Sequence, residues 1–239
     1  MNLTIRRADD RGRADLGWLD SRHTFSFSSY YDPRHMGFGP LRVINDDRVA
    51  PGRGFGAHPH RDMEIISYVL EGSLMHKDSM GNGSVMEPGE VQLMSAGTGV
   101  VHGEWNHSKS VPVRFLQIWI QPDRAGQPPR YDQKRFPAPE RRNRLRVLVS
   151  PDGREGSLTI RQDAMLLGAN LELGREVGVP VAPGRGVWIH LARGSARVGD
   201  QDLAEGDALS TWDPGVLTLR GEGDGAEVLV FDVPGRQSA

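Results

Sequence analysis

The chain has 239 residues, a net charge of −2 from 29 basic and 31 acidic side chains, and no cysteine. That balance gives no general field for nucleic acid or anionic lipid, and without thiols there are no disulfides or thiolate metal sites, so histidine and carboxylates are the strong ligands available. With 30 glycines and 16 prolines among 37% hydrophobic and 25% charged residues, many short elements joined by tight turns are expected, an all-β chain long enough for two packed cores.

The first ten residues, Met1 to Asp10, hold no apolar stretch of signal type, and no run approaches the roughly 18 apolar residues of a membrane span; a cytoplasmic protein with no membrane contact is expected. Short β-like runs follow at Thr24-Phe25-Ser26-Phe27 and Leu41-Arg42-Val43-Ile44. Glu64 to Leu70 is apolar and β-prone, and Glu71-Gly72-Ser73 reads as a glycine turn opening a hairpin into Leu74–His76. Ser79 to Gly83 forms a wide turn, Glu87 to Glu90 turns into Val91-Gln92-Leu93-Met94, and Arg114 to Ile120 is a further buried strand.

Residues 121–144 then concentrate five prolines (122, 128, 129, 137 and 139) and seven basic residues. This stretch reads as a solvated linker, and the expected division is an N-terminal domain of 1–132 and a C-terminal domain of 133–239. The second half returns to β texture at Val187–Leu191, Ala208–Trp212, Val216–Leu219 and Val228–Val233. Its Gly194-Ser195-Ala196, followed by Glu205-Gly206-Asp207-Ala208-Leu209, echoes Gly72-Ser73-Leu74 followed by Pro88-Gly89-Glu90-Val91, as two copies of one β unit would.

Two short patterns carry chemistry. In His58-Pro59-His60 the histidines are two apart, so on an extended segment both imidazoles point to one side and can reach one ion. His102-Gly103-Glu104 repeats the device with a carboxylate. Three imidazoles and a carboxylate suit one divalent transition metal: Fe as the first expectation, with Ni, Co, Mn, Cu or Zn compatible. His23, His35 and His76 read as hydrogen-bonded structural histidines, His107 as a solvent-facing one. His190 has no companion, so no metal ligands are expected in the second domain. Phe25, Phe27, Phe38, Phe55 and Met63 suit either an apolar pocket or a core.

Gly52, five residues on His58-Pro59-His60, then Glu64 and Gly72 resemble the first cupin motif, and Gly97 to Asn106 a looser form of the second. Together with Ser21-Arg22-His23-Thr24-Phe25-Ser26-Phe27, Asp78-Ser79-Met80-Gly81-Asn82, Met94-Ser95-Ala96-Gly97 and Gln117-Ile118-Trp119-Ile120, these residues resemble the pirin family, in particular its bacterial quercetin 2,3-dioxygenases. The resemblance implies a bicupin of two tandem jelly-roll β-barrels. It implies metal ligands at His58, His60, His102 and Glu104, with Glu64 behind them. It also implies O₂-dependent opening of a flavonol's central ring with release of carbon monoxide. Glu104 is then the candidate base for the flavonol 3-hydroxyl. The alternatives are a metal-binding regulatory module of the pirin type, with a protein partner and no physiological dioxygenase activity, and a cupin enzyme for another substrate.

Overall fold

The computed structural model describes residues 1–235. It is all-β apart from one short helix, Ala138–Arg141, and two 3-10 turns, Ala8–Asp10 and Arg154–Gly156. No helix among the described residues is long and apolar enough to cross a membrane. In chain order the strands are β1 (Thr4–Arg6), β2 (Gly12–Asp15), β3 (Leu19–His23), β4 (Leu41–Val49), β5 (Gly54–His60), β6 (Glu64–Glu71), β7 (Leu74–Asp78), β8 (Gly83–Met86), β9 (Glu90–Ser95), β10 (Val100–Asn106), β11 (Val113–Ile120) and β12 (Arg130–Arg135). The remainder are β13 (Arg146–Ser150), β14 (Leu158–Thr159), β15 (Met165–Leu171), β16 (Glu176–Val181), β17 (Arg185–Val198), β18 (Gln201–Ala204), β19 (Ala208–Thr211) and β20 (Gly215–Pro234).

One unit comprises Gly12–Arg135 with Ile160–Gln162. Its strands form two sheets, ordered β12-β9-β6-β11-β4-β3-β2 and β5-β10-β7-β8. The continuous apolar runs of β6 and β11 lie mid-sheet and are buried almost throughout, as expected for strands covered on both faces. Leu19, Val49, Val69, Leu74, Met86, Val113 and Phe115 form one core cluster, and Ile65, Met94, Ala96 and Val100 another. Gly72 does take a left-handed turn, φ 72°, but β6 pairs with β9 and β11 whereas β7 pairs with β8 and β10. The turn therefore carries the chain from one sheet to the other, and the expected hairpin is corrected. A glycine turn specifies a reversal of direction but not the strand that will be the partner.

The expected linker is also corrected in part. Residues 130–135 are β12, registered on β9 from Arg130 opposite Ser95 to Arg135 opposite Glu90. The prolines sit on either side, at 128, 129, 137 and 139, where no ladder donor is needed. Tyr131 packs against the Ile65–Met94 cluster, while Arg130, Lys134 and Arg135 suit an edge strand that must not recruit another chain.

The other unit comprises Met1–Arg11, Phe136–Thr159 and the described chain from Asp163 onward. Its sheet runs β1-β19-β17-β20-β15-β13-β14, with β16 added on β20 and β18 on β17. The expected split at 132/133 thus differs at the N-terminus. β1 pairs Thr4 with Ser210 and Arg6 with Ala208, and Arg7 Nη1 meets Asp207 Oδ2 at 2.7 Å; these contacts cover the edge of β19. Gly194 (φ 77°) sits inside β17, where its register on β20 breaks. It is the counterpart of Gly72, placed within one bent strand.

Candidate metal centre

Antiparallel pairing of β10 with β5 sets Val100 opposite His60, His102 opposite His58 and Glu104 opposite Phe55, with one extra β5 residue between the last two pairs. Directly opposed residues share a face, as do residues two apart, so His58, His60, His102 and Glu104 project together. Pro59 is tolerated because β5 is the edge of its sheet. Gly103 has no room for a side chain, since a Cβ there would lie 2.4 Å from the Trp105 ring.

The ligand-capable atoms of His58, His60 and His102 lie within 4.8 Å of one another, and a second trio, His76, His102 and Glu104, meets the same limit. His58 Nδ1 is 2.7 Å from the Gly56 carbonyl oxygen; when that nitrogen donates, Nε2 is left with its lone pair free. His102 Nε2 is buried with no hydrogen-bond partner, and a buried polar atom left so needs a reason. An ion gives one, and the donor set of three imidazoles and a carboxylate fits a divalent transition metal. His58, His60 and His102 are brought together, and Glu104 meets His102 in the second trio. His76, expected to be structural, stands beside them fully buried.

Glu104 is held by two neighbours that the sequence reading did not single out. The Ser67 hydroxyl donates to Oε1 at 2.8 Å, and Gln117 Nε2–H donates to Oε2 at 2.6 Å. Both belong to a buried polar row in register across five strands: His23, Asn45, Gln117, Ser67 and Gln92. Burial nevertheless pushes the Glu104 carboxyl up to about 7, against those two hydrogen bonds. Burial, reinforced by neighbouring imidazoles, pushes His60 down to about 4 and His102 down to about 3. Both rings are thus neutral at neutral pH, the form in which an imidazole can ligate a metal.

Beside the cluster lies a cavity of about 270 Å³, near the lower end of small-molecule sites at about 300 Å³. Trp18, Phe27, Phe55 and Trp119 give it aromatic walls, and His58, His60, Glu104 and Gln117 also line it. Of the five candidate pocket residues, Phe27 and Phe55 line it. Phe25 and Phe38 are core, and Met63 packs on the Ile65 cluster. Asn45 Oδ1, Asp47 Oδ1 and His23 Nδ1, on lining residues, are buried without a hydrogen-bond partner. Burial pushes the Asp47 carboxyl up to about 7, against a hydrogen bond from Ser21. Glu64 accepts from the Ser95 hydroxyl at 2.8 Å and the Arg161 N–H at 3.3 Å; neither bond runs to an expected ligand. A larger cavity, about 550 Å³, lies in the other unit against Asn170, Glu172, Arg193 and Glu227, and neither ligand trio is there.

These values set the pH dependence of metal binding. A carboxyl held at about 7 keeps its proton in the metal-free fold below neutral pH, and an ion that takes Glu104 as a ligand would displace it. Affinity therefore rises as pH rises toward about 7 and gains nothing further from this group above it. Calorimetry in buffers of different ionisation enthalpy should show wild type releasing more protons than Glu104→Gln at pH 6, and a smaller excess at pH 8. Equal release by the two proteins at pH 6 contradicts this assignment.

Comparison with known proteins fits this geometry. The Pirin family profile matches residues 5–120, and a profile described as the quercetinase C-terminal cupin domain matches residues 147–233. A protein of Escherichia coli K12 named quercetin 2,3-dioxygenase is 46% identical over 232 residues, 97% of this chain and 99% of that protein. The crystal structure of E. coli YhhW superposes with a TM-score of 0.94 at 44% identity, covering all of both chains. A structure of the bacterial pirin YhhW in complex with nickel(II) gives 0.93 at 44% identity, over 98% of this chain and all of that one.

Proposed function

The chain belongs to the pirin family, with the all-β bicupin fold, and from that membership we propose that it is a metal-dependent dioxygenase that opens flavonols such as quercetin with O₂. His58, His60, His102 and Glu104 would hold one divalent ion. Bound there, the ion would supply Lewis-acid and one-electron chemistry toward the phenolate and O₂. The chain's own residues do the rest. The aromatic walls of Trp18, Phe27, Phe55 and Trp119 suit a flat polycyclic ring and keep bulk water from it. The buried acceptors on Asn45 and Asp47 suit its hydroxyl groups, because a buried polar atom without a partner rewards a ligand that supplies one. Glu104 would take the 3-hydroxyl proton, with Ser67 and Gln117 holding its two oxygens in place.

The observation that supports this reading is that Glu104 stands in a ligand trio with His102 and lines the cavity as well. That is the position a base must have to meet a substrate's acidic hydroxyl beside the metal. The test is anaerobic purification, metal analysis, and a quercetin assay on samples reloaded with Fe(II), Ni(II) or Co(II). O₂-dependent loss of quercetin with one carbon monoxide released per turnover is expected, abolished by chelation and restored by metal. A fully metallated protein inert toward every flavonol tested would contradict the proposal. The iron expected first on sequence grounds is one arm of that assay, nickel another.

A further inference from the structure

His76 and Asp78 have no part in the proposed reaction, yet the fold surrounds them with care. They lie on β7, opposite Glu104 and His102 of β10 respectively, on the face that carries the ligands. Asp78 is anchored: Oδ1 accepts from the Met80 and Asn82 N–H groups at 2.9 and 3.0 Å, and Oδ2 accepts from Asn82 Nδ2 at 2.8 Å. The same Oδ2 is 3.3 Å from His76 Nε2, and His76 Nδ1 is 3.4 Å from His102 Nδ1. The His76 ring is clamped from one side by Tyr131, stacked at 4.9 Å between centroids and 23° between planes. Tyr131 is itself tied through its hydroxyl to Gln133 and Ser84.

The proton positions along this chain are not free. An ionised carboxylate only accepts, so His76 Nε2 must carry the hydrogen that faces Asp78. A neutral imidazole so protonated offers Nδ1 as an acceptor, which leaves His102 Nδ1 as the donor. The lone pair of His102 is then on Nε2, the buried atom that no protein group satisfies. We propose that Asp78 and His76 form a positioning relay that fixes the tautomer and ring orientation of His102 for metal binding, so that His76 is a positioning residue and not a fifth ligand. The proposal rests on the assignment of His102 as a ligand, and extends it one layer outward, where carboxylate–histidine partners commonly hold a ligand in its binding tautomer.

The test reads metal affinity and tautomers, so it is independent of dioxygenase activity. Long-range ¹⁵N–¹H spectra of the full-length Zn(II)-loaded protein should show hydrogen on His102 Nδ1 and on His76 Nε2. In Asp78→Asn, an amide can donate to His76 Nε2 and so invert its tautomer. Ni(II) affinity, measured by chelator competition, should then fall about 10- to 100-fold, with one ion per chain still bound at saturation. His76→Phe keeps the stack on Tyr131 and should fall within the same range. Wild-type spectra with hydrogen on His102 Nε2, unchanged affinity in both variants, or a loss in His76→Phe as complete as in His102→Ala, would each overturn the relay.

Discussion

Replacing His102 by alanine should empty the metal centre. Wild type is expected to carry close to one transition-metal ion per chain by elemental analysis after gel filtration. His102→Ala should lose affinity well beyond the roughly 100-fold that outer partners cost, and retain almost no metal. The reason is geometric: His102 is the residue common to both ligand trios, and its Nε2 is the buried atom without another partner. His60→Ala removes a second imidazole of the same face and should act alike. His190→Ala is the control, because His190 lies buried in β17 of the other unit and should leave metal content unchanged. Two ions per chain in wild type, or full retention in His102→Ala, contradicts the site.

The second large effect falls on turnover. Glu104→Gln keeps the size of the side chain and one carbonyl oxygen, but an amide does not accept a proton at neutral pH. If Glu104 takes the proton of the flavonol hydroxyl, the variant loses about 10²-fold or more in turnover, the scale of a missing general base. Occupancy has to be measured in the same sample, since Glu104 is also a ligand candidate. Turnover per bound ion equal to wild type would reduce Glu104 to a ligand alone.

The four ligand candidates were legible because each pair is local. His58 and His60 are two apart, as are His102 and Glu104, and a strand turns that spacing into a shared face. What joins one pair to the other is the β5–β10 register, and the same long-range pairing explains what was missed. Ser67 and Gln117 meet at Glu104 across 37 and 13 positions, a distance at which no local spacing speaks. A fainter signal exists: Ser67, Gln92 and Gln117 each interrupt the apolar middle of a largely buried strand, and buried polar groups require partners. His76 reads as structural from sequence; it is hydrogen-bonded to Asp78 and His102, and it also stands in one of the two ligand trios.

The fold was misread where composition stood in for pairing. A stretch of prolines and arginines reads as a linker, yet residues 130–135 of it pair as an edge strand, β12, on β9. The N-terminal strand joined the second unit because its partner, β19, lies some 200 residues away along the chain.

The most direct test of the metal assignment is anomalous diffraction from crystals of the Ni(II)-loaded protein at the nickel absorption edge. We predict a single strong peak per chain within bonding distance, about 2.0–2.2 Å for nitrogen and oxygen donors, of His58, His60, His102 and Glu104. A peak bonded to His76 in place of His58 and His60, or lying in the other unit, would contradict it.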